Sequence, residues 1–288
     1  MTTVAILGTG RMGTAFAKRL IEVGRSVLVW NRTSAHADES AQAGAFVAGD
    51  IAAVTAADVF LISLTNAQAV GVVTDALIKA GIKGKLVIDM STLLPDETKE
   101  IGASIVAAGA EFVDCPVGGT VGPALKGMLL GMAGGSLTAF ARAKPILDHL
   151  CKRVELVGAI GAGAHMKLAI NLPLAIYWQT LAEALTLLEG SGISTQMAIS
   201  MIADSSAGTA VLKNRAQIVG QTIAGADQPG TFDIAGLAKD LDLALAQAAK
   251  LGQAMPLSIE ARKSYAEAIS AGLARFDGAS LTRHLLRN

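Results

Sequence analysis

The chain has 288 residues, of which 52% are hydrophobic, and its mean hydropathy is +0.49. The 24 basic and 24 acidic residues balance without a marked basic run, which argues against nucleic acid or an anionic membrane surface as the main partner. The longest apolar stretch, 168–178, is interrupted by Asn171 and Pro173 and falls well short of the roughly 20 residues that cross a bilayer. We interpret the excess hydrophobicity as Ala- and Leu-rich helices buried between domains or subunits, and expect a homodimer or homotetramer.

Two further features predict a cytoplasmic location. Cys115 and Cys151 are too few for a disulfide framework, so we expect two reduced thiols. The first residues lack the basic segment, apolar core and cleavage site of a signal peptide, and their apolar run is typical of a strand.

The first half of the chain alternates short β-rich runs with longer helical stretches. Val4–Leu7 predicts a buried strand, a helix follows from about Met12 to Val23, and the next strand ends at Trp30. Further strands are predicted at 59–62, 86–88, 111–113, 129–133 and 154–157. Near-continuous apolar strands separated by helices are typical of a parallel sheet covered on both faces, so the pattern predicts an α/β domain with a doubly wound sheet.

The character of the sequence changes after about Gly161. Residues 164–189 predict one long helix, and the chain continues through Leu286 as helices rich in Ala, Leu and Gln, with loops at 190–192 and 228–230. We therefore predict a first domain over residues 1–161 and an all-α domain over 162–288. Pro173 frees a backbone carbonyl inside the long helix and predicts a kink. Whether the kink shapes a pocket wall or is neutral stays open.

A glycine-rich turn follows the first strand. Gly8, Gly10 and Gly13 fit G-x-G-x-x-G, with a strand before the motif and a helix after it. The first glycine permits the tight turn, the second lets backbone N–H groups approach a pyrophosphate, and the third lets helix and strand pack closely. The helix N-terminus, at Arg11 and Met12, adds partial positive charge. The motif predicts a dinucleotide-binding Rossmann domain.

The residues after the second strand favour NADP over NAD. An NAD-selective site usually has a carboxylate here, about 20 residues after the turn, to hold the ribose hydroxyls. This chain has Asn31, Arg32 and Thr33 instead. A guanidinium can pair with the 2′-phosphate of NADP, with the threonine hydroxyl helping. The alternative is a solvated arginine and a threonine that caps the next helix.

Polar side chains also follow two later strands. Leu64-Thr65 and Ser91-Thr92 come directly after apolar runs, at the carboxyl edge of the predicted sheet, where open α/β sheets bind ligands. We predict cofactor contacts from Leu64, Thr65 and Thr92. Ser91 could instead cap the following helix.

Three further segments narrow the prediction. They are Asp114 to Thr120 with Gly134-Gly135, then Gly161 to Asn171, and finally Lys239 to Ala244. With the glycine turn and Asp89 to Thr92, they make the chain resemble a β-hydroxyacid dehydrogenase, a family that includes 3-hydroxyisobutyrate, tartronate semialdehyde and succinic semialdehyde reductases. The resemblance covers nearly the whole chain. It implies a Rossmann domain, a long inter-domain helix, a helical domain that contributes to substrate binding and oligomerisation, and an active site in the cleft.

Lys167 and Asn171 are the predicted catalytic pair. They are four residues apart and so share one face of the long helix. Desolvation can lower the pKa of such a lysine and suit it to proton transfer. By resemblance, Lys167 gives a proton to the carbonyl oxygen as hydride arrives and acts as the base in reverse, while Asn171 orients the substrate. The alternative for Lys167 is an exposed helix lysine.

The predicted substrate loop is Gly118, Gly119 and Thr120, whose unhindered N–H groups suit a carboxylate. The family usually has Ser-Gly-Gly, and Gly118 stands in place of its serine. Either Thr120 takes over that contact or the carboxylate is held differently. By resemblance, Lys239 would reach the cofactor near its nicotinamide end, braced by Asp240. The alternative is an ordinary charge pair on a helix.

The leading hypothesis is an NADP(H)-dependent oxidoreductase acting on a small β-hydroxyacid or an aldehyde or semialdehyde acid. One alternative is an imine reductase, whose members commonly replace the lysine with Asp or Tyr. Another is a non-catalytic NADP-binding protein. The scattered histidines predict no metal site.

Overall fold

The computed structural model describes residues 2–230 and 232–286. By backbone contacts the chain divides into two compact units, the first ending at Lys167 and the second beginning at Leu168. In the described ranges, no helix is long and apolar enough to cross a membrane. The predicted domain boundary between residues 161 and 162 stays a prediction.

The first unit contains nine strands and the helices between them. The strands are β1 (Thr3–Leu7), β2 (Ser26–Trp30), β3 (Phe46–Val47), β4 (Val59–Ile62), β5 (Leu86–Asp89), β6 (Glu111–Asp114), β7 (Val117–Gly118), β8 (Leu129–Gly135) and β9 (Cys151–Gly158). The helices are α1 (Arg11–Glu22), α2 (Asp38–Gln42), α3 (Ala67–Ala80), α4 (Pro95–Ala107), α5 (Val121–Leu125) and α6 (Leu137–Leu150), with 3₁₀ turns at Ser34–Ala37 and Ala53–Ala56.

These strands form one sheet in the order β3-β2-β1-β4-β5-β6-β8-β7, with β9 paired to β8. The pairs from β3 to β6 are parallel, whereas β8 runs antiparallel to β6 and β7. The strand order reverses between β1 and β4, so the carboxyl ends of these two strands flank the crevice where open α/β sheets bind ligands. The predicted doubly wound, mostly parallel sheet is confirmed.

Both faces of the central strands are buried, as expected for a sheet covered by helices. β4 and β5 are buried at every position, and β1 is buried from Val4 onward. Two strands lie outside the prediction, β3 and β7, each of two residues. Phe46 and Val47 of β3 are exposed, so neither length nor alternation of buried side chains signals this strand.

The second unit is helical throughout its regular structure. It takes the greater part of α7 (Ala162–Thr186), followed by α8 (Thr195–Asp204), α9 (Ala210–Ile223), α10 (Ile234–Lys250), α11 (Pro256–Ser270) and α12 (Gly278–Leu285). The predicted long helix and the helices after it are therefore confirmed. Pro173 lies inside α7 with its side chain exposed, and the kink it predicts stays a prediction.

Buried aromatic side chains organise the second unit. Trp178 of α7 and Tyr265 of α11 belong to its core. The Tyr265 hydroxyl donates to the Ala175 carbonyl at 2.8 Å, and the Thr282 hydroxyl donates to the Trp178 carbonyl at 2.7 Å. These bonds satisfy carbonyl groups of α7 inside the helical packing. Trp178 is thus a core residue.

Candidate functional site

The glycine turn after β1 is sterically restricted at two of its three glycines. A Cβ at Gly8 would collide with the Ser63 carbonyl oxygen, and one at Gly13 with the Gly8 carbonyl oxygen. These contacts explain the first and third glycines, because the turn folds tightly against β4 and α1 packs directly on it.

Gly10 differs, because a Cβ there would meet nothing within 4 Å. It precedes α1, whose first turn contains no acidic residue and whose N-terminus receives no side-chain cap from the described residues. Arg11 is exposed, whereas the Met12 side chain packs against the core. Met12 would therefore meet a ligand through its backbone N–H. An open approach to a helix N-terminus fits a pyrophosphate, so the turn suits the predicted dinucleotide.

Asn31 ties the glycine turn to the loop after β2. Its Oδ1 accepts from the Thr9 N–H at 3.1 Å, and its Nδ2 donates to the Thr33 carbonyl at 3.0 Å. Arg32 and Thr33 are exposed. Among the described residues the Thr33 hydroxyl does not cap the following 3₁₀ turn. The structure therefore places Asn31 beside the turn, fixed by hydrogen bonds, and Arg32 and Thr33 follow it at exposed positions.

His36 is a residue of this region that sequence reasoning missed. Its side chain is exposed, and its Nδ1 lies 3.5 Å from Asn31 Nδ2. The 3₁₀ turn Ser34–Ala37 brings the imidazole back toward the end of β2.

Ser91 joins the carboxyl ends of β4 and β5. Its hydroxyl accepts from the Leu64 N–H at 3.0 Å, and its own N–H donates to Asp89 Oδ1 at 2.9 Å. The alternative that Ser91 caps the next helix is wrong, because α4 begins after Leu94, whose N–H is bonded by Glu97. Thr65 is exposed and Thr92 half-buried in the same region.

The predicted substrate loop begins on β7 and ends where α5 starts. Gly119 has a φ of +123°, whereas the nearest atom to a Cβ at Gly118 would be Leu130 Cβ at 3.6 Å. Gly118 thus has room for a side chain. Thr120 is half-buried, and its hydroxyl makes no cap bond to α5 among the described residues.

Lys167 lies beside this loop. It is only 8% exposed, and its Nζ donates to the Val117 carbonyl at 2.8 Å. The alternative of an exposed helix lysine is therefore wrong. Since Val117 directly precedes Gly118, the first unit brings the buried ammonium and the predicted substrate loop together.

Asp114, at the end of β6, holds the start of α7 and was not singled out by sequence reasoning. Its two carboxylate oxygens accept from the N–H groups of Gly161 (2.8 Å) and Ala164 (3.0 Å). Burial raises its pKa from 3.8 to about 6, the two backbone N–H groups oppose the shift, and the Asp89 carboxylate adds to it. A Cβ at Gly163 would lie 2.7 Å from Asp114 Oδ2, so this glycine permits the close approach.

In the second unit, Asn171 is 4% exposed and Asp240 is 6% exposed. Asn171 Nδ2 donates to Asp240 Oδ2 at 2.5 Å, and Lys239 Nζ lies 3.6 Å from Asp240 Oδ1. Asp240 therefore contacts both predicted residues of this unit. Over residues 2–230 and 232–286, no group of three His, Cys, Asp or Glu side chains could hold a metal ion.

A doubly wound sheet with this glycine turn at its strand-order reversal, and with a buried lysine beside a glycine loop, defines a class: the nicotinamide-dinucleotide-dependent oxidoreductases. Residues 3–158 match the family described as the NAD binding domain of 6-phosphogluconate dehydrogenase. Residues 161–285 match the family described as the NAD-binding region of NADP-dependent 3-hydroxyisobutyrate dehydrogenase. The predicted NADP cofactor is thus confirmed at the level of the family.

Similar proteins match almost the whole length of the chain. Glyoxylate/succinic semialdehyde reductase 1 of Arabidopsis thaliana is 31% identical over 281 residues, 95% of each protein. The mitochondrial 3-hydroxyisobutyrate dehydrogenase of Mus musculus is 32% identical over 99% of this chain and 87% of its own. A solved structure of Mycobacterium tuberculosis 3-hydroxyisobutyrate dehydrogenase with L-serine superposes with a TM-score of 0.89 at 29% identity, covering all of both chains. The chain belongs to the β-hydroxyacid dehydrogenase family.

An imine reductase from Pseudomonas sp. also superposes, with a TM-score of 0.65 at 21% identity over 97% of this chain and 98% of its own. At this identity the likeness shows a shared fold only. It leaves the chemistry to be argued from the residues of the site.

Proposed function

We propose that this protein transfers hydride between NADP(H) and a small β-hydroxyacid or the corresponding aldehyde or semialdehyde acid, with Lys167 as general acid and base. The observation that carries the proposal is the buried Lys167 ammonium, bonded to the Val117 carbonyl at the entrance of the 118–120 loop. A lysine held in this way keeps its ammonium group at a fixed point, whereas an exposed lysine moves freely through solvent.

The cofactor would be held by the first unit. The glycine turn and the α1 N-terminus suit its pyrophosphate, and Arg32 suits a 2′-phosphate. When bound, the nicotinamide supplies or accepts the hydride. Leu64, Thr65, Thr92 and Lys239 are proposed as further contacts.

Lys167 handles the proton. The Lys167 ammonium donates to the Val117 carbonyl at 2.8 Å, which holds it beside the 118–120 loop. In the reducing direction the ammonium donates to the substrate carbonyl oxygen and passes a proton to it as the alcohol forms. In the oxidising direction the neutral amine takes the hydroxyl proton. Asn171 hydrogen-bonds the substrate, and the N–H groups of Gly118, Gly119 and Thr120 suit its carboxylate.

Substitution of Lys167 tests the catalytic role. Lys167→Ala should lower kcat by at least about 100-fold, the lower range for general acid–base catalysis, while NADPH binding stays within about twofold. Lys152→Ala, at an exposed position of β9, is the matched control and should keep full activity. If Lys167→Ala retains most of its turnover on the best substrate, the proposed mechanism is wrong.

The substrate class is tested with a panel of semialdehydes, glyoxylate, hydroxyacids and one cyclic imine, each with NADPH and NADH. The imine belongs in the panel because glycine stands at position 118, where the resemblance to hydroxyacid dehydrogenases predicts a serine. Turnover of the imine alone would favour an imine reductase. Absence of turnover together with tight NADPH binding would favour a non-catalytic protein.

The preference for NADP is tested at Arg32. A lost charge-assisted contact should raise the KM for NADPH about 10- to 100-fold in Arg32→Ser and leave the KM for NADH nearly unchanged. Arg153→Ser, which removes an exposed arginine from β9, should change neither. An equal change for both cofactors in Arg32→Ser would contradict the proposal.

We also propose a cytoplasmic homodimer or homotetramer. Both cysteines are unpaired and buried, as in proteins of a reducing compartment. Met197 and Met201 share a face of α8 and are exposed, Met201 at 67%. Light scattering coupled to size exclusion gives the mass directly, and a monomer would contradict the proposal.

A further inference from the structure

One buried carboxylate links the sheet of the first unit to the helix that carries Lys167. Asp114 is the last residue of β6 and is 2% exposed. Its Oδ1 accepts from the Gly161 N–H at 2.8 Å, and its Oδ2 accepts from the Ala164 N–H at 3.0 Å. Both carboxylate oxygens therefore bind the short segment in which α7 begins, so the helix start is held at two points.

The surroundings of this carboxylate leave it little room to move. A Cβ at Gly134 of β8 would collide with Asp114 Oδ1, and a Cβ at Gly163 would lie 2.7 Å from Oδ2 and collide with the Met132 carbonyl oxygen. The start of α7 is thus packed directly against the end of β6 and against β8. Because close-packed interiors transmit displacements, a shift of the Asp114 side chain would be passed on to the helix.

The hydrogen bond between Lys167 and Val117 lies three residues beyond this link on both sides. Val117 follows Asp114 by three residues and is held in β7 by its pairing with Gly131 of β8. Lys167 follows Ala164 by three residues, so the two residues share a face of α7. The 2.8 Å contact between Lys167 Nζ and the Val117 carbonyl therefore joins the sheet to a helix start that Asp114 already binds to the sheet.

The charge of Asp114 matters for this link. An ionised carboxylate accepts hydrogen bonds at both oxygens, whereas an amide of the same shape accepts at its oxygen only. Burial raises the pKa of Asp114 to about 6, the two N–H groups oppose this shift, and the Asp89 carboxylate on the neighbouring β5 adds to it. The carboxyl group is therefore mainly ionised above this pH, although burial disfavours its charge.

We propose that Asp114 is a positioning residue for the proposed reaction: by binding two N–H groups at the start of α7, it fixes the Lys167 ammonium at the point where it exchanges a proton with the substrate. The inference rests on the proposed function and deepens it, because it assigns the placement of the general acid to a residue of the sheet. A displacement of about 1 Å can cost about 100-fold in rate, so a loosened helix start should impair turnover more than binding.

The first test is Asp114→Asn. The amide nitrogen cannot accept, so one of the two N–H groups loses its partner while the shape of the side chain is kept. We expect kcat to fall about 10- to 100-fold, while the KM for the substrate and the Kd for NADP each stay within about twofold. Asp148→Asn is the matched control and should keep full activity, because it removes a half-exposed carboxylate of α6 that pairs with Lys144. A kcat within twofold of the wild-type value in Asp114→Asn would overturn the inference.

A double-mutant cycle with Lys167→Ala separates positioning of the lysine from a general disturbance of the site. In the Lys167→Ala background no ammonium is left to position, so Asp114→Asn should change the residual kcat less than about twofold. A general disturbance would lower the residual kcat by the same factor as in the wild type, and that result also overturns the inference. Asp114→Ser, whose single hydroxyl oxygen cannot replace two carboxylate oxygens, takes the same place in the cycle if the asparagine variant folds poorly.

Failure of this inference is distinguishable from failure of the proposed function. If Lys167→Ala keeps most of its turnover, the lysine mechanism falls and the role of Asp114 falls with it. If Lys167→Ala loses activity and Asp114→Asn is equally damaging with and without the lysine, only the role of Asp114 falls.

Discussion

Gly118 and Gly119 are adjacent, yet they differ in how much room each leaves for a side chain. A Cβ at Gly118 would make ordinary contacts with Leu130, whereas one at Gly119 would lie 2.7 Å from Leu129 Cδ2 on backbone with a φ of +123°. Gly118, where the resemblance leads us to expect a serine, is therefore the position that accepts a side chain without steric conflict.

We predict that Gly118→Ser folds with unchanged thermal stability and lowers the KM for carboxylate substrates about tenfold, because a hydroxyl on the loop adds a hydrogen bond to a charged group. Steady-state kinetics on the hydroxyacid panel and a melting curve measure both effects. Gly119→Ser is the control and should melt several degrees lower, since both its backbone and its space disfavour a side chain. Unchanged kinetics in Gly118→Ser would mean that the carboxylate is held elsewhere.

The glycine turn provides a second contrast at the scale of single residues. Gly10 has a φ of −71°, which alanine adopts readily, and open space beside it, whereas a Cβ at Gly13 would collide with the Gly8 carbonyl oxygen. Gly10→Ala should fold normally but bind NADP at least about tenfold more weakly, because the methyl group occupies the approach to the α1 N-terminus. Gly13→Ala should lose stability as well. Fluorescence titration with NADPH and urea unfolding separate the two outcomes, and normal affinity in Gly10→Ala would contradict the cofactor placement.

At the scale of elements, the start of α7 depends on one buried carboxylate. Asp114 accepts from the Ala164 N–H, which the first turn of this helix leaves without a helical partner, and from the Gly161 N–H just before the helix. Lys167 lies three residues beyond Ala164 on the same helix, so the position of its ammonium depends on this anchor. The carboxylate is held although burial disfavours its charge.

This anchor predicts a particular pH dependence of stability. Because the pKa of Asp114 is raised from 3.8 to about 6, folding takes up a proton between these values, and stability falls as the pH rises through about 6. The stability is fully present below pH 3.8, and the loss from this group is about 3 kcal/mol. In Asp114→Asn this component should disappear from urea unfolding measured from pH 4 to 7. Asp148→Asn, at a half-exposed ion pair of α6, should keep it, and parallel curves for the wild type and Asp114→Asn would disprove the assignment.

Elements with strong local patterns could be predicted, and those fixed by distant contacts could not. Val59 to Ile62 is an apolar β-rich run, and the helices of the second half have the length and composition of helices, so both were predictable. β7 has two residues and is defined only by its pairing with β8. Lys167 could be picked out as a candidate site residue from its motif. The Asp114 anchor and the Asn171–Asp240 pair could not, because they join residues 47 to 69 positions apart and no local pattern encodes such contacts.

For the whole molecule, cofactor binding and folding are linked. A ligand that binds only the folded protein adds about 2.7 kcal/mol of stability at a free concentration of 100 times its Kd. We predict that NADP raises the melting temperature in a concentration-dependent manner and that NAD at equal concentration raises it less, since Arg32 has no 2′-phosphate to contact. Differential scanning fluorimetry with both cofactors measures the shifts. Equal shifts at all concentrations would contradict a preference for NADP.

Because Arg32 is exposed, it can be substituted during evolution at little cost in stability. Substitutions at exposed positions usually alter the unfolding free energy by no more than about 0.5 kcal/mol, whereas side chains at Gly8 or Gly13 collide with backbone. If Arg32 governs the preference for NADP over NAD, single substitutions can therefore change that preference while every intermediate sequence still folds. The turn proposed to hold the pyrophosphate does not tolerate side chains at Gly8 or Gly13. Single substitutions can therefore exchange the cofactor far more easily than they can remove the capacity to bind one.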